Sequence, residues 1–186
     1  MAQQEDFRYP IGKEDEQSAF KSPFNEQLKR SLIDEIKMLP SNLEYAIQNL
    51  DEAHLQTPYR SGGWTIHQLV HHVADSHINA YVRFKLGLTE ENPVIKPYDQ
   101  DAWATLPDSE KLPVNISITL LHALHARWCQ CMEDMDEPQW QRAVYHPERK
   151  IKLSLWQLLK SYAWHGKHHT AHILKLRERM NWNKHE

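Results

Sequence analysis

Histidines are concentrated in two short stretches of this sequence. Four of the 13 histidines in the 186-residue chain lie in the segment WHGKHHTAH: His165, His168, His169 and His172. A second group of four comes earlier: His67, His71, His72 and His77. Because neutral imidazoles are common ligands of divalent metal ions, the two groups predict a metal site built from two segments.

The spacing within the later group fits metal binding from one helix. Residues four positions apart lie on the same helix face, which lets two imidazoles reach one ion. Two pairs have this spacing: His168 with His172, and His165 with His169. The helical wheel does not choose between them. The third ligand must come from the earlier group, where three candidates remain: His71, His72 and His77.

Three neutral histidines with an open fourth position would form a catalytic zinc-type site, because a fourth protein ligand would exclude the reacting water. We expect one Zn²⁺ per chain, although Ni²⁺, Co²⁺ or Fe²⁺ suit the same imidazoles. The alternative is that the histidines are hydrogen-bonded core residues. Two core-facing clusters disfavour this, because each buried imidazole would need its own polar partner.

Other side chains are candidates for the rim of the same pocket. Ser76, Asn79 and Arg83 follow His72 along one helix face, and Arg83 is suited to an anionic substrate group. Three tryptophans are candidates for the pocket wall, with core packing as the alternative: Trp64, Trp103 and Trp164.

No protein group is assigned as general acid or base. In the HExxH pattern of zinc proteases a glutamate follows the first histidine, but His169 occupies that place here. The expected nucleophile is therefore a metal-activated water. The roles of five histidines stay open: His77, His125, His146, His165 and His169.

Four amphipathic helices must position these residues. The apolar periodicity predicts a first helix from Pro23, interrupted at Pro40 and resumed at Ser41, and a second from Ile66 to Leu88 capped by Thr65. A third should run from Asn115 to Met135, and a last one from a Ser154 cap to Arg179. Three other segments are expected to be an extended arm (1–22), a long crossing loop (89–113) and a small hairpin (145–153). The predicted fold is an all-α four-helix bundle in a single domain over 1–186.

Composition limits the partners. The net charge of −3 gives no basic excess for nucleic acid or an anionic membrane surface. The polar N-terminus does not resemble a signal peptide, and no segment has the length of apolar sequence needed to span a bilayer. We expect a cytoplasmic protein that acts on a small molecule.

Several uncommon motifs occur in an order that resembles the YfiT-like metal-dependent hydrolases of the DinB superfamily. They are YPIG (9–12), GGWTIHQLVHHVADSHINAYVRFKL (62–86), KPYDQDAW (96–103), LHARW (124–128), YHP (145–147) and WHGKHHTAHI (164–173). The resemblance implies that the second histidine of the HH pair and the HxxxH pair hold the metal, which are His72, His168 and His172 here. Amphipathicity alone would have favoured His77 over His72. The family's WHSHHHIAH reads WHGKHHTAH, a change beside the site that could alter substrate preference.

The resemblance implies hydrolysis by metal-activated water as the leading function. One alternative is a metal-dependent transfer of a low-molecular-weight thiol to an electrophile, and another is a non-enzymatic metal-binding stress protein. A homodimer is also implied, and four apolar residues of the long loop are candidates for its interface: Val94, Ile95, Tyr98 and Trp103.

Overall fold

The computed structural model describes residues 7–17 and 21–182. Eight α-helices lie in these ranges: α1 (Glu26–Ile47), α2 (Glu52–Leu55), α3 (Ile66–Thr89), α4 (Gln100–Trp103), α5 (Pro107–Lys111), α6 (Val114–Glu133), α7 (Glu137–Gln141) and α8 (Leu155–Met180). Two strands precede α8, β1 (Ala143–His146) and β2 (Ile151–Ser154). The long helices α1, α3, α6 and α8 pack together, which confirms the predicted four-helix bundle.

The starts of α3 and α8, which carry the two histidine groups, are fixed by capping boxes at the two residues that the sequence predicts as caps. Thr65 accepts from the backbone N–H of Gln68, whose side chain accepts in return from the N–H of Thr65. Ser154 and Gln157 make the same exchange at the start of α8. These reciprocal bonds satisfy backbone donors that the first turn of a helix leaves free.

The expected break at Pro40 is wrong, because α1 runs continuously through this residue. Proline has no N–H, so the carbonyl of Ile36, four residues earlier, lacks its helical donor. The ring of His125 on α6 donates a hydrogen bond to this carbonyl instead. A neighbouring helix therefore satisfies the acceptor that Pro40 leaves free.

The apolar core is divided into two clusters. The Trp128 cluster includes Ile36, Phe84, Trp128 and Leu159. The Leu43 cluster includes Leu43, Val70, Leu121 and Ile173. Along α1 and α8 the chain meets the Trp128 cluster first, whereas along α3 and α6 it meets the Leu43 cluster first. Helices α3 and α6 are therefore parallel to each other and antiparallel to α1 and α8, so the connection between them must return along the bundle.

This return is made by the predicted crossing segment, which contains the short helices α4 and α5. It is tied to β1, since the N–H of Ile95 donates to the carbonyl of Tyr145 at 3.0 Å. Ile95 is only 2% exposed and belongs to the Trp128 cluster, so its assignment to a dimer interface is wrong. Val94, at 65% exposure, remains available to a partner.

The hairpin is confirmed with shifted bounds, since β1 and β2 pair antiparallel with Ala143 opposite Ser154. The described part of the N-terminal arm, 7–17, is not extended: it forms turns and a 3-10 turn at Glu14–Glu16 that packs on α8. Residues 1–6 and 18–20 of the predicted arm lie outside the described residues. Within the described ranges, no helix combines the length and apolar character that a membrane span requires.

Candidate metal centre

A cavity of about 430 Å³, the histidine pocket, lies between α3, α8 and the loop before α3. Five histidines line it: His72 from α3, and His165, His168, His169 and His172 from α8. The loop contributes Tyr59, Arg60, Gly62, Gly63 and Trp64. The three histidines predicted to bind the metal therefore share one cavity with His165 and His169.

Aromatic contacts orient the predicted HxxxH pair. His172 stacks on Tyr59 with ring centroids 4.1 Å apart, and His168 stacks on Trp164 at 4.4 Å. The His172 Nε2–H donates to the carbonyl of Arg8, 3.3 Å away. The N-terminal segment thus fixes the imidazole of His172 from the side opposite its Nδ1 atom.

His72 is held by the loop that begins α3. Its ring centroid lies 4.4 Å from that of Trp64, whose indole N–H donates to Asp101 at 3.1 Å. Asp101 belongs to α4, so the crossing segment also supports this wall of the pocket. The three ligand candidates are therefore oriented by three different parts of the chain.

Burial makes these imidazoles neutral at pH 7. Desolvation lowers the pKa of His72 and of His172 from 6.5 to about 4. It also lowers the pKa of His168 to about 3, with a further contribution from nearby His172. A neutral imidazole keeps a free lone pair on one nitrogen, which is the form that binds a metal ion.

Three buried ring nitrogens in the pocket have no hydrogen-bond partner among the described residues. They are the Nδ1 atoms of His168, His169 and His172. A buried polar atom without a partner is costly, so a missing group is the natural explanation. Nitrogen donors of this kind match the ligands that zinc and nickel accept.

Ring nitrogens of His72, His165 and His169 form a compact group, since they all lie within 4.8 Å of one another. The rings of His168 and His172 lie 4.3 Å apart beside this group. All five imidazoles are within one pocket, so the choice of ligands among them stays a prediction.

The other two candidates for the third ligand lie outside the histidine pocket. His71 uses both ring nitrogens, donating to the carbonyl of Leu112 at 3.0 Å and accepting from Ser117 at 2.8 Å. His77 is fully buried in the bundle and bonds to His125 and His165. Only His72 of the three faces the pocket.

Two residues predicted for this pocket, Asn79 at the rim and Trp103 in the wall, are elsewhere. The Asn79 side chain donates to the backbone carbonyl of Asp75, one turn earlier, and lines no described cavity. Trp103 is 37% exposed and packs on Tyr98, with ring centroids 4.5 Å apart. A helical wheel gives the direction of a side chain but not its distance along the axis, and Asn79 lies two turns, about 10 Å, beyond His72.

A second cavity of about 690 Å³, the arginine pocket, adjoins the first and shares Gln100, Trp164 and His165 with it. Its charged lining residues are Arg83, Arg149, Glu14, Asp99 and Glu148. The Arg83 guanidinium is half-buried and donates to the hydroxyl of Tyr162 at 2.6 Å. Ser76 and His146 also line this cavity. Arg83 is thus at a pocket, as predicted, but at the second one.

Sequence reasoning missed Tyr59, Arg60 and Asp101 as residues of the histidine pocket. Tyr59 and Arg60 precede the Gly62-Gly63 turn, and a search for aromatic residues beside that turn would have found Tyr59. Asp101 lies in the quoted motif KPYDQDAW but carries no metal-ligand spacing.

None of the three departures from the family motif, at Gly166, Lys167 and Thr170, lines the histidine pocket, and the Thr170 hydroxyl donates to the carbonyl of Gly166 at 2.9 Å. Gly166 packs against α1, where an added Cβ would lie 2.6 Å from a methyl group of Leu39. Lys167 is half-exposed and pairs with Glu35 at 2.8 Å. A change of substrate preference through these positions is therefore not supported by the geometry.

Comparison with known proteins places the chain in a family. The profile of the DinB superfamily matches residues 35–173. The chain belongs to the DinB superfamily. A Bacillus cereus protein named "Putative metal-dependent hydrolase" is 50% identical over 178 residues, covering 95% of this chain and 99% of its own. A Bacillus anthracis relative of the same name is 49% identical, with the same coverage.

Two solved structures resemble this DinB-superfamily chain. One is YfiT from Bacillus subtilis, described as "a probable metal-dependent hydrolase with an unusual four-helix bundle topology". It has a TM-score of 0.90 and 41% identity, covering 95% of this chain and 99% of YfiT. A mycothiol-dependent maleylpyruvate isomerase has a TM-score of 0.59 at 17% identity, covering 82% of this chain and 62% of the isomerase, and shares the fold.

Proposed function

We propose that this protein is a metal-dependent hydrolase in which His72, His168 and His172 hold one divalent ion, with zinc preferred and nickel as the alternative. The observation that carries the proposal is the set of buried, unpartnered imidazole nitrogens that line the histidine pocket among the described residues. An ion bound there supplies Lewis-acid activation of water for attack on a small substrate.

The hydrogen bond from His172 to the carbonyl of Arg8 supports its role as a ligand. Metal-binding histidines usually donate their second ring N–H to a carbonyl or carboxylate, which fixes the tautomer and aims the free lone pair at the ion. Here Nε2 is the donor, so the lone pair is on the buried Nδ1 atom. His168, one helical turn earlier, has its Nδ1 atom free in the same pocket.

The arginine pocket supports a substrate with an anionic group. Arg83 lies eleven residues after His72 on α3, which is about three helical turns. A guanidinium that is half-buried and already oriented by Tyr162 binds carboxylate or phosphate strongly. The reacting bond would be in the histidine pocket and the anionic group beyond Trp164, which lies between the two cavities.

Thiol transfer is the second candidate. Asp101 is the only carboxylate among the described lining residues of the histidine pocket, and it accepts a bond from Trp64. A pocket without a free carboxylate base suits a thiolate nucleophile, which needs no further deprotonation before attack. Titration of the cobalt-loaded protein with glutathione, cysteine or bacillithiol tests this, because a bound thiolate adds a sulfur-to-cobalt charge-transfer band.

Hydrolysis is tested with matched small esters and amides that do or do not carry a carboxylate. The zinc-loaded protein should cleave some of them, and His172→Ala should remove the activity. Arg83→Leu should raise KM for the carboxylate-bearing substrates alone. Cleavage that survives complete metal removal would contradict the proposal.

A homodimer is also proposed, with Val94 in the interface. Light scattering at micromolar concentration should report twice the chain mass of 22.1 kDa. A monomer at all concentrations would remove this proposal without affecting the metal site.

A further inference from the structure

A line of three buried histidines crosses the bundle and ends at the histidine pocket. The ring of His125 donates from Nδ1 to the carbonyl of Ile36. The Nδ1 atom of His77 lies 3.0 Å from the Nε2 atom of His125. The Nδ1 atom of His165 in turn lies 3.3 Å from the Nε2 atom of His77. Each long helix contributes one member: Ile36 from α1, His77 from α3, His125 from α6 and His165 from α8.

The carbonyl of Ile36 at one end fixes the donor and the acceptor of each hydrogen bond in this line. A carbonyl oxygen only accepts hydrogen bonds, and a neutral imidazole has one N–H donor and one acceptor nitrogen. The proton of His125 must therefore be on Nδ1, which leaves Nε2 as an acceptor. His77 must then donate from Nδ1 and accept at Nε2, and His165 must do the same.

Burial keeps the rings of His77 and His125 in the neutral form that these hydrogen bonds require. His77 is inaccessible to solvent and His125 is 1% exposed. Desolvation lowers the pKa of His125 to about 4, and burial together with neighbouring His125 lowers the pKa of His77 well below its usual value. Both rings are packed against Trp128.

Pro40 makes the carbonyl of Ile36 available. In an uninterrupted helix, the N–H of residue 40 would donate to this carbonyl. Proline has no N–H, so the oxygen is free to accept from His125. The proline inside α1 thus has a direct consequence on the other side of the bundle.

We infer that Pro40, the Ile36 carbonyl, His125 and His77 form a positioning device that fixes His165 in its Nδ1–H tautomer and presents its Nε2 lone pair to the histidine pocket. Two groups already face that atom: the Nε2 atom of His169 in the histidine pocket at 3.1 Å, and the hydroxyl of Ser76, which lines the arginine pocket, at 3.5 Å. Both can donate to it.

The inference rests on the proposed function only for the role that His165 would have in catalysis. In a hydrolase, the fixed acceptor at His165 would hold the ring of His169 through its Nε2–H and leave the unpartnered Nδ1 of His169 to accept a hydrogen bond from a water or other nucleophile. It also gives His169 a role, since its Nε2–H donates to His165 and both Nε2 atoms are then engaged. This disfavours His165 as a metal ligand, because both of its ring nitrogens then have partners, whereas His169 keeps an unpartnered Nδ1 atom.

Tautomers are measured directly by long-range ¹H–¹⁵N NMR, since the protonated and unprotonated ring nitrogens have well-separated ¹⁵N shifts. In the metal-free protein at neutral pH, His125, His77 and His165 should all have the proton on Nδ1. An Nε2–H tautomer at any of the three would overturn the inference. Because no metal is present, the outcome is independent of the proposed hydrolase activity.

Variants separate positioning from packing. Pro40→Ala supplies a competing N–H to Ile36, so the Nδ1 signals of His125, His77 and His165 should all shift toward a tautomer mixture. His125→Phe should do the same at His77 and His165, whereas His125→Gln, whose amide can both donate and accept, should restore Nδ1–H at His77. His122→Phe, at an exposed position on α6, is the matched control. Unchanged His165 signals in both Pro40→Ala and His125→Phe would contradict the device.

Discussion

The two apolar clusters and the histidine layer between them are stabilised in different ways. The histidine layer comprises His77, His125 and the five histidines of the histidine pocket. On α3, His77 lies between Ala74 of the Leu43 cluster and Ala80 of the Trp128 cluster. On α6, His125 separates Leu121 from Trp128 in the same way. The clusters are stabilised by burial of apolar area, which needs no directed partner. The histidine layer instead requires a partner for every ring nitrogen, and it lacks such partners only where it opens into the histidine pocket.

The largest expected effect is on stability, from truncating an apolar cluster. Phe84→Ala removes a ring that is fully buried against Trp128 and Trp140, and should lower the free energy of unfolding by about 3–5 kcal/mol. Val82→Ala, at a 48% exposed position on the same helix, should have little effect. Urea denaturation measures both. Metal content of folded Phe84→Ala should be unchanged, and its loss would show that the clusters and the pocket are not separable.

Acid should act on the histidine layer and not on the clusters. The pKa of His125 is about 4 in the folded protein, against 6.5 for an ordinary histidine. Between these values the unfolded chain binds the proton and the folded chain does not, so stability should fall as pH decreases from 6.5 to 4. For His125 alone the loss is about 3 kcal/mol.

One carboxyl opposes this trend. Burial and the nearby Asp108 raise the pKa of Asp75 from 3.8 to about 6, so its contribution to stability is gained as pH falls through 6. The histidine layer contains several histidines whose pKa is lowered. Their combined effect should set the sign of the net change in stability with pH. Denaturation of the metal-free protein at a series of pH values measures the slope, and His125→Gln should make it shallower. A flat profile from pH 6.5 to 4 would contradict the assignment of buried neutral histidines.

A somewhat smaller effect on stability is expected from zinc binding in the histidine pocket, where the histidine layer opens. Zinc at a free concentration 100 times its Kd should raise the free energy of unfolding by about 2.7 kcal/mol. His172→Ala should abolish this gain, whereas His122→Ala, at an exposed position, should retain it. Thermal denaturation with and without zinc gives the comparison. A gain of equal size in His172→Ala would exclude it as a ligand.

The smallest effect on stability and zinc content is expected from a substitution at Asn79, at the edge of the histidine layer. The side chain of Asn79 bonds to its own helix, so Asn79→Ala should change stability by less than about 0.5 kcal/mol. Its zinc content should equal that of the unmodified protein. A clear loss of zinc in Asn79→Ala would extend the pocket to a residue that the structure places outside it.

The periodic and capped parts of the fold were predictable from sequence. The apolar spacing and the caps Thr65 and Ser154 predicted helices α3 and α8 to within a residue or two. Local rules failed at Pro40, because the partner that satisfies Ile36 lies on α6 and is 89 residues away in sequence. A break is the correct expectation for a proline with no such partner.

The site was predictable only in outline. The histidine groups and the family motif predicted a pocket with His72, His168 and His172, and the structure places all three in one cavity. The hydrogen bonds at both ring nitrogens of His71 and the burial of His77 depend on which helices face each other. The helical wheel of a single helix does not contain this information. Tyr59 and Arg8 reach the pocket from separate segments, so no spacing within α8 could indicate them.

Metal content of matched variants tests the central claim most directly. Protein purified without a histidine tag, stripped of metal and reloaded with zinc should hold about one ion per chain, bound through three histidines. His72→Ala, His168→Ala and His172→Ala should lose stoichiometric zinc, while His165→Ala, His169→Ala and the exposed control His122→Ala should keep it. Retention of zinc in His168→Ala and His172→Ala, together with its loss in His165→Ala and His169→Ala, would contradict this account and assign the ion to the compact group at His72.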